Sequence, residues 1–225
     1  MKSTLGVIVA VIVSTGVAAA QTPAPRAAPA PAPASAPDRG YVEGVAQSAF
    51  GNVTSQSYGV EFGYTVRPTF QVFGELGKIR DVADDAFTSG ASTIAGGLSL
   101  VQPAAVGFTA RRPVTFAGGG IKYRPATAMR VHPYVLAGIG FGNVNNDVTF
   151  TLAGAPASDS TLAQYVTLGS DLSGSSTSAM LTLGGGAILP VWQNLILDLQ
   201  YRFGRIFADE GITTNRAGVG IGVRF

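Results

Sequence analysis

Cysteine is absent from this sequence of 225 residues, and histidine occurs once, at His132. Without cysteine the chain can form no disulfide bond, no thiolate nucleophile and no cysteine-ligated metal site. Charged residues make up only 12% of the chain, against about 25% in typical proteins. The small formal net charge of +2 argues against nucleic acid as a partner.

After its N-terminus the sequence also lacks any run of about 18 apolar residues, the length that marks a transmembrane helix. Yet 46% of its residues are hydrophobic, and the mean hydropathy is +0.30. An apolar average without long apolar runs indicates that apolar and polar residues alternate. Such alternation is typical of a membrane β-barrel.

The first 20 residues have the layout of a secretory signal peptide. Lys2 supplies the positive charge, residues 5–13 form a compact apolar core, and residues 18–20 are alanines. We expect cleavage before Gln21. A retained membrane anchor is the alternative, although the apolar stretch is short for a bilayer span.

Residues 21–37 read QTPAPRAAPAPAPASAP, in which proline alternates with alanine. Proline has no N–H to donate to a strand ladder, and this composition offers little with which to build a core. We therefore predict an extended linker of the polyproline II type. It leads into a β-barrel domain over residues 38–225.

From Tyr41 onward the sequence has the period of two that is typical of β-strands. The last segment is clearest, because apolar residues from Ala217 to Phe225 alternate with glycine and arginine. Leu195 to Gly204 alternates in the same way. The pattern predicts six further strands, over residues 41–50, 57–67, 69–80, 113–124, 130–142 and 177–189. Each is long enough to cross a bilayer, which takes about 9–11 tilted residues.

A sheet with open edges in lipid would leave backbone groups unpaired, so these strands must close on themselves. We predict an all-β fold, a closed antiparallel up-and-down transmembrane β-barrel of eight strands. The predicted connections alternate between short turns and longer loops, as in outer-membrane barrels with periplasmic turns. The longest loops are predicted over residues 81–112 and 143–176.

These two loops leave alternatives open. Residues 87–101 have helical potential that ends before Pro103, and residues 160–168 are also compatible with a short helix. Alternatively, residues 93–101 and 105–111 form an extra hairpin, which would give ten strands.

The motifs VHPYVLAGIGFGNV, AMLTLGGGAILPV, LILDLQYRFGRI and GVGIGVRF resemble those of the small eight-stranded outer-membrane barrels of the outer-membrane protein A/X type. The resemblance covers roughly residues 41–225, and its motifs encode strand faces rather than a site. It implies a Gram-negative outer-membrane protein with the linker in the periplasm. It also implies that the terminal aromatic residue, Phe225, is an assembly signal for the barrel-inserting machinery.

If the more apolar alternating set faces lipid, the charged residues of the strands face the lumen. A lysine or arginine facing lipid at the midplane would cost about 2–4 kcal/mol, whereas inward charges of opposite sign can pair. Depth along the strands predicts two stacked clusters, with Glu61, Glu75 and Arg202 at mid-height and Glu43, Asp198, Lys122 and Arg224 nearer the periplasm. The predicted lumen charge network comprises Glu43, Glu61, Glu75, Lys122, Asp198, Arg202, Arg216 and Arg224.

Many inward positions are glycine, which leaves one wall of the lumen bare. Large inward residues such as Phe73, Tyr134, Gln200 and Arg202 are candidates to fill the space; otherwise a water-filled pocket remains.

We predict no catalytic, cofactor-binding or metal site, and hence no enzyme. His132 falls near the periplasmic rim, so a Ser-His-acid arrangement has no base in the right place. The acidic residues of the outer loops, Asp84, Asp85, Asp147, Asp209 and Glu210, are expected to be solvated. A calcium site that bridges to lipopolysaccharide is the alternative.

Two functions from different classes follow. The first is a structural or surface-interaction barrel whose long loops contact lipopolysaccharide, surfaces or other proteins. The alternative is a narrow, porin-like channel for small solutes, gated by Arg202 as it exchanges partners between Glu61 and Glu75. Expected partners are outer-membrane lipid, lipopolysaccharide and the barrel-assembly machinery, and we expect a monomer. A soluble lipocalin-like barrel fits poorly, because its exterior would be polar.

Overall fold

A computed structural model of the chain describes residues 39–158, 162, 164, 165, 172–208 and 211–225. The predicted signal peptide and linker lie outside the described residues, as does almost all of the helix predicted over residues 160–168. The strands are β1 (Gly40–Phe50), β2 (Ser55–Arg67), β3 (Phe70–Ile79), β4 (Val106–Arg111), β5 (Val114–Tyr123), β6 (His132–Leu152), β7 (Ala155–Pro156), β8 (Ser173–Pro190), β9 (Leu195–Ile206) and β10 (Ile212–Arg224), and helix α1 covers Asp85–Val101.

Eight of these strands close into an antiparallel ring. The order around the ring is β6-β5-β3-β2-β1-β10-β9-β8, and pairing of β8 with β6 completes it. The first and last strands pair from Tyr41 opposite Arg224 to Phe50 opposite Asn215. The predicted eight-stranded barrel is therefore confirmed.

Burial alternates along the ring strands, which separates an outer face from a lumen. On β9, Ile196, Asp198 and Gln200 are buried, whereas Leu195 and Leu199 are exposed and Leu197 is half-buried. The exposed set on neighbouring strands is equally apolar, as expected of a surface that faces lipid. No helix within the described residues has both the length and the hydrophobicity to cross a bilayer.

The two ends of the ring differ. The turn end carries the connections over residues 68–69, 124–131 and 191–194 and the terminal residue Phe225, whereas the loop end carries the two longest connections, after β3 and β6. At the loop end β6 and β8 continue past the ring, with pairs from Asn143 opposite Thr177 to Asp147 opposite Ser173. The predicted loop over residues 143–176 is therefore wrong at both of its ends, where the chain is strand.

The segment before β5 contains the predicted helix. The Asp84 carboxylate caps α1 by accepting a hydrogen bond from the Phe87 N–H at 2.8 Å. The ten-stranded alternative is wrong, because β4 pairs with the extension of β6 and stays outside the ring. Helix α1 packs on this extension through Ala95 and Leu98, which contact a cluster around Phe150. We call α1, β4 and β6 beyond residue 145 the outer module.

Two apolar layers fill the ends of the lumen. The loop-end layer comprises Ala49, Ile79, Val82, Val114, Phe116, Val144, Met180, Ile206 and Ile212. The turn-end layer comprises Tyr41, Phe73, Tyr134, Leu136, Ile188 and Ile196. Most of the buried charged residues lie between the two layers.

The glycine wall is packed rather than empty. A Cβ atom built on Gly138 would lie 3.0 Å from the Phe73 ring, and one built on Gly184 would lie 2.9 Å from the Arg202 side chain. A Cβ on Gly120 would collide with the backbone of the neighbouring strand at Ala137 and Gly138. Glycine here permits the close approach of β5 and β6.

Gly120→Ala should destabilise the barrel by about 1–3 kcal/mol, because overpacking a close backbone contact forces the strands apart. The matched control is Gly44→Ala, whose added Cβ meets no atom within 4 Å and should leave stability unchanged. Urea unfolding of the refolded barrels in detergent micelles measures both. Equal unfolding midpoints for the two variants would contradict the close packing of β5 on β6.

Candidate functional site

The lumen holds an ion-paired cluster centred on Glu61 of β2. One carboxylate oxygen of Glu61 accepts from the Lys122 Nζ at 2.5 Å, and the other accepts from the Arg202 Nη2 at 2.6 Å. The Tyr41 hydroxyl also donates to Glu61, at 2.5 Å. Because β2, β5, β9 and β1 each contribute one group, the cluster ties the wall of the ring together across its interior.

Asp198 and Tyr134 extend this cluster to β6. The Tyr134 hydroxyl donates to the Asp198 carboxylate at 2.6 Å and accepts from the Arg202 Nη1 at 3.3 Å. The Lys122 Nζ lies 4.2 Å from the centre of the Tyr134 ring, a distance that allows a cation–π interaction. We call Tyr41, Glu61, Lys122, Tyr134, Asp198 and Arg202 the lower cluster.

A second ion pair lies nearer the loop end. The Arg216 Nη2 is 3.6 Å from the Glu75 carboxylate, which also accepts from the Thr182 hydroxyl at 3.2 Å. The Arg216 guanidinium lies 4.3 Å from the centre of the Phe116 ring in the loop-end layer. Glu75, Thr182 and Arg216 form the upper cluster. Glu61 and Glu75 lie opposite each other in the β2–β3 register, yet Arg202 contacts Glu61, whereas Glu75 pairs with Arg216.

Glu43 lies beside the lower cluster, whereas Arg224 lies at the turn end. Glu43 is buried opposite Glu61 in the β1–β2 register, and within the described residues neither of its oxygens has a hydrogen-bond partner. Arg224 is only half-buried at the turn end, where its Nε and Nη2 donate to the Gln193 carbonyl at 3.1 and 2.9 Å. Alternation along β10 predicts that Arg224 points into the lumen network. However, β10 ends at this residue, so its side chain lies at the rim and not in the lumen.

A small cavity separates the two clusters. Its volume is about 10 Å³, and its lining includes Gln47, Ser57, Glu75, Gln200 and Arg216. The Ser57 hydroxyl and the Gln200 Nε2 have no partner within the described residues. A volume of this size accommodates about one water molecule, which would satisfy these groups.

The remaining candidate positions lie at the two ends. His132 begins β6 at the turn end and is half-buried. At the loop end Asp84 caps α1 and lies 3.7 Å from the Arg112 guanidinium, while Asp209 and Glu210 lie outside the described residues. No group of three acidic or histidine side chains that could hold a metal occurs in the described part of the chain.

Sequence reasoning missed several members of the clusters. Tyr41 lies two residues before Glu43 on β1, so the alternation predicts that its side chain points inward. It does not predict the hydrogen bond to Glu61. The alternation also predicts that Thr182 and Phe116 point inward. Their contacts with Glu75 and Arg216 depend on how far along the barrel axis each strand places them. The clusters offer paired charges and aromatic faces, which is an arrangement suited to bracing the lumen.

The terminal residue closes the backbone ladder at the turn end. The Phe225 N–H donates to the Gly40 carbonyl at 2.9 Å, and its carbonyl accepts from the N–H groups of Arg39 and Gly40 at 2.7 and 2.9 Å. The Phe225 ring remains exposed. Residue 225 thus takes part in joining β1 to β10 while presenting its side chain outward.

Comparison with known proteins identifies the family of this architecture. The model of the outer membrane protein beta-barrel domain family matches residues 8–225. No curated protein sequence is significantly similar to the chain.

Among solved structures, the neisserial surface protein A has a TM-score of 0.51 and 14% identity, over 84% of this chain and 98% of that protein. A major outer membrane protein from Thermus thermophilus has a TM-score of 0.53 and 14% identity, over 83% of this chain and 99% of the other. At these identities the likeness shows the fold alone.

Glu61→Gln should destabilise the barrel by about 3–5 kcal/mol, because it leaves two buried cations without their counter-charge. The control is Asp147→Asn, since Asp147 is exposed on β6; its effect should stay within about 0.5 kcal/mol. Urea unfolding in micelles measures both variants.

Adding Lys122→Met to Glu61→Gln should cost less than the sum of the two single changes, because the pair is coupled. Strict additivity would contradict the ion pair.

Proposed function

We propose that this chain, which belongs to the outer membrane protein beta-barrel domain family, acts as a closed scaffold in the outer membrane that presents the outer module to the cell's surroundings. Membership of this family shows that the barrel is an outer-membrane protein. The observation that carries the proposal is the apolar core of the outer module, in which Ala95, Leu98 and Phe150 pack with Leu162 from the segment that follows. Long loops that form an apolar core of their own usually serve a function.

The outer module is ordered at a distance from the ring. Ordering each of the 17 residues of α1 costs about 1–2 kcal/mol of backbone conformational entropy, which burial of Phe87, Ala91, Ala95 and Leu98 offsets. The opposite face of α1 consists of small and hydroxyl-bearing side chains, with Leu100 exposed beyond them. Long structured loops of this kind are usually functional.

The orientation of the barrel supports an external role for the module. Short turns of outer-membrane barrels face the periplasm and longer connections face outside. We therefore infer that the loop end faces outward, where it meets lipopolysaccharide. The same orientation leaves residue 39 in the periplasm, in keeping with the proposed signal peptide over residues 1–20 and linker over residues 21–37. We also propose that the chain is a monomer and that the assembly machinery recognises the exposed Phe225 ring.

The packing of the lumen favours the scaffold over the channel. Lys122, Asp198 and Arg202 are each 0% exposed, and an apolar layer lies on either side of them. An eight-stranded barrel is just wide enough for its own side chains. If Arg202 moved from Glu61 to Glu75, a buried ion pair at 2.6 Å would break. The two apolar layers would stay in place, so the lumen would remain closed.

Planar-bilayer recordings should therefore show no steady conductance from the parent protein or from Arg202→Ala. Removal of the arginine leaves both apolar layers in place, and these exclude water and ions. Insertion is verified by protease protection of the same bilayer preparation. Stepwise currents from the parent that change in Arg202→Ala would contradict the scaffold and favour the gated channel.

Excision of residues 83–111 tests the outer module directly. The Val82 N–H donates to the Arg112 carbonyl at 3.0 Å, so a short Gly-Ser link can replace the excised segment without straining the ring. The variant should fold and insert, because the ring pairs are untouched. Its binding of labelled, purified lipopolysaccharide in nanodiscs should fall by at least about tenfold, which corresponds to roughly 1.4 kcal/mol. Equal binding by an equally folded variant would contradict the proposal.

A further inference from the structure

The lipid-facing side of the barrel ends in basic residues at the loop end of β3. Lys78 and Arg80 are exposed, and they alternate with Ile79, which is buried in the lumen. Lys78 pairs across the sheet with Tyr58, an exposed aromatic residue of β2. Aromatic side chains form girdles at the membrane interface, so Arg80, which directly follows β3, lies at the level of lipid head groups.

An open cavity lies at this point on the outside of the wall. Its volume is about 230 Å³, and it is lined by Thr54, Ser55, Gln56, Arg80, Asp81 and Arg111. Since one water needs a cavity of only about 10–15 Å³, this space has room for a phosphate group together with several waters. Arg111 comes from β4, so the outer module completes a cavity that β2 and β3 begin.

The two arginines are available to a ligand. Arg80 uses its Nη1 to donate to the Gln56 amide oxygen at 2.6 Å, which holds the guanidinium at the edge of the cavity. Within the described residues the Arg111 side chain has no hydrogen-bond or ion-pair partner. Asp147 lies opposite Arg111 in the β4–β6 register, yet the two side chains form no ion pair in the described part of the chain.

The acidic residue of the cavity is turned to the backbone. Asp81 uses its Oδ1 to accept from the N–H groups of Ala83 and Arg112, both at 2.9 Å. Its negative charge is therefore partly offset by these donors, and the cationic side chains dominate the cavity. Guanidinium groups bind phosphate oxygens in a bidentate manner with charge-assisted hydrogen bonds.

We propose that this cavity, the basic outer site, binds a phosphate group of an outer-leaflet glycolipid through Arg80 and Arg111. The inference deepens the proposed function and rests on its placing the loop end outward, because only that leaflet carries phosphorylated glycolipid beside the wall. The site anchors the outer module to the membrane surface, since Arg111 belongs to the module and Arg80 to the ring.

The test compares Arg80→Gln/Arg111→Gln with the matched double variant Arg67→Gln/Arg130→Gln. Arg67 and Arg130 are exposed at the turn end, so both double variants lose the same charge. Binding of bisphosphorylated lipid A to each protein in nanodiscs is measured by fluorescence. We expect at least about a tenfold loss for the first variant, from two charge-assisted hydrogen-bonding groups, and no change for the second. Dephosphorylated lipid A should bind weakly and equally to all three proteins.

Inorganic phosphate distinguishes the source of the ligand. If it displaces lipid A only at concentrations far above those of the lipid, the glycolipid is the ligand. If it binds the parent as tightly as lipid A does and loses affinity in the first variant, the phosphate site stands and its ligand is soluble. Equal lipid A binding by the parent and the first variant, or equal losses in both variants, would overturn the site.

Failure of the site is distinguishable from failure of the proposed function. The chain has no cysteine, so Ser92→Cys on α1 and Thr127→Cys at the turn end each introduce a single thiol. A membrane-impermeant maleimide should label the first on intact cells and the second only after permeabilisation. That result with unchanged lipid A binding overturns the basic outer site alone, whereas the reverse labelling overturns the orientation on which both depend.

Discussion

Inside a bilayer every backbone N–H and C=O group must find its partner within the protein, and this constraint determines the rest of the structure. It requires the sheet to close, which the pairs β1–β10 and β6–β8 accomplish. Once the sheet is closed, successive side chains have only lipid or lumen to face. A strand that carries both Leu199 and Arg202 must then direct the arginine inward, and the lumen becomes the one place for charge within the membrane.

Pairing of opposite charges offsets much of the cost of burying them in so narrow a space. Glu61 receives Lys122 and Arg202, while Glu75 receives Arg216, and apolar layers enclose these pairs at both ends. The consequence for function is that an interior used for bracing is not available for transport. The exterior of the loop end is then the part of the barrel available for specific binding. There the chain forms a helix, an added strand and a basic cavity.

Much of this architecture could be predicted from the sequence, because strand parity is a local property. The faces of β9 and β10, the closure into eight strands and the inward direction of Glu61 and Arg202 all follow from a period of two. The partners of Arg202 do not, because they depend on the tilt and stagger of strands that are distant in the chain. Alternation therefore does not show that Arg202 pairs with Glu61 while Glu75 pairs with Arg216. The predicted strand ends ten residues before β6 does, because the polar run over residues 145–147 interrupts an alternation that resumes from Val148 to Leu152. This extension pairs with β4, and its Phe150 is buried in a cluster with Ala95 and Leu98 of α1.

The most direct test of a closed ring with its charges inside is site-resolved NMR of the barrel in nanodiscs, with a lipid-soluble and a water-soluble paramagnetic probe. The lipid-soluble probe should broaden side-chain signals of Leu195, Leu199 and Ile221, which are exposed on the outer face. Neither probe should reach Asp198 or Arg202, which are fully buried. Broadening of Arg202 by the lipid-soluble probe would show that the charged face is turned outward, and broadening by the water-soluble probe would show that the lumen is open.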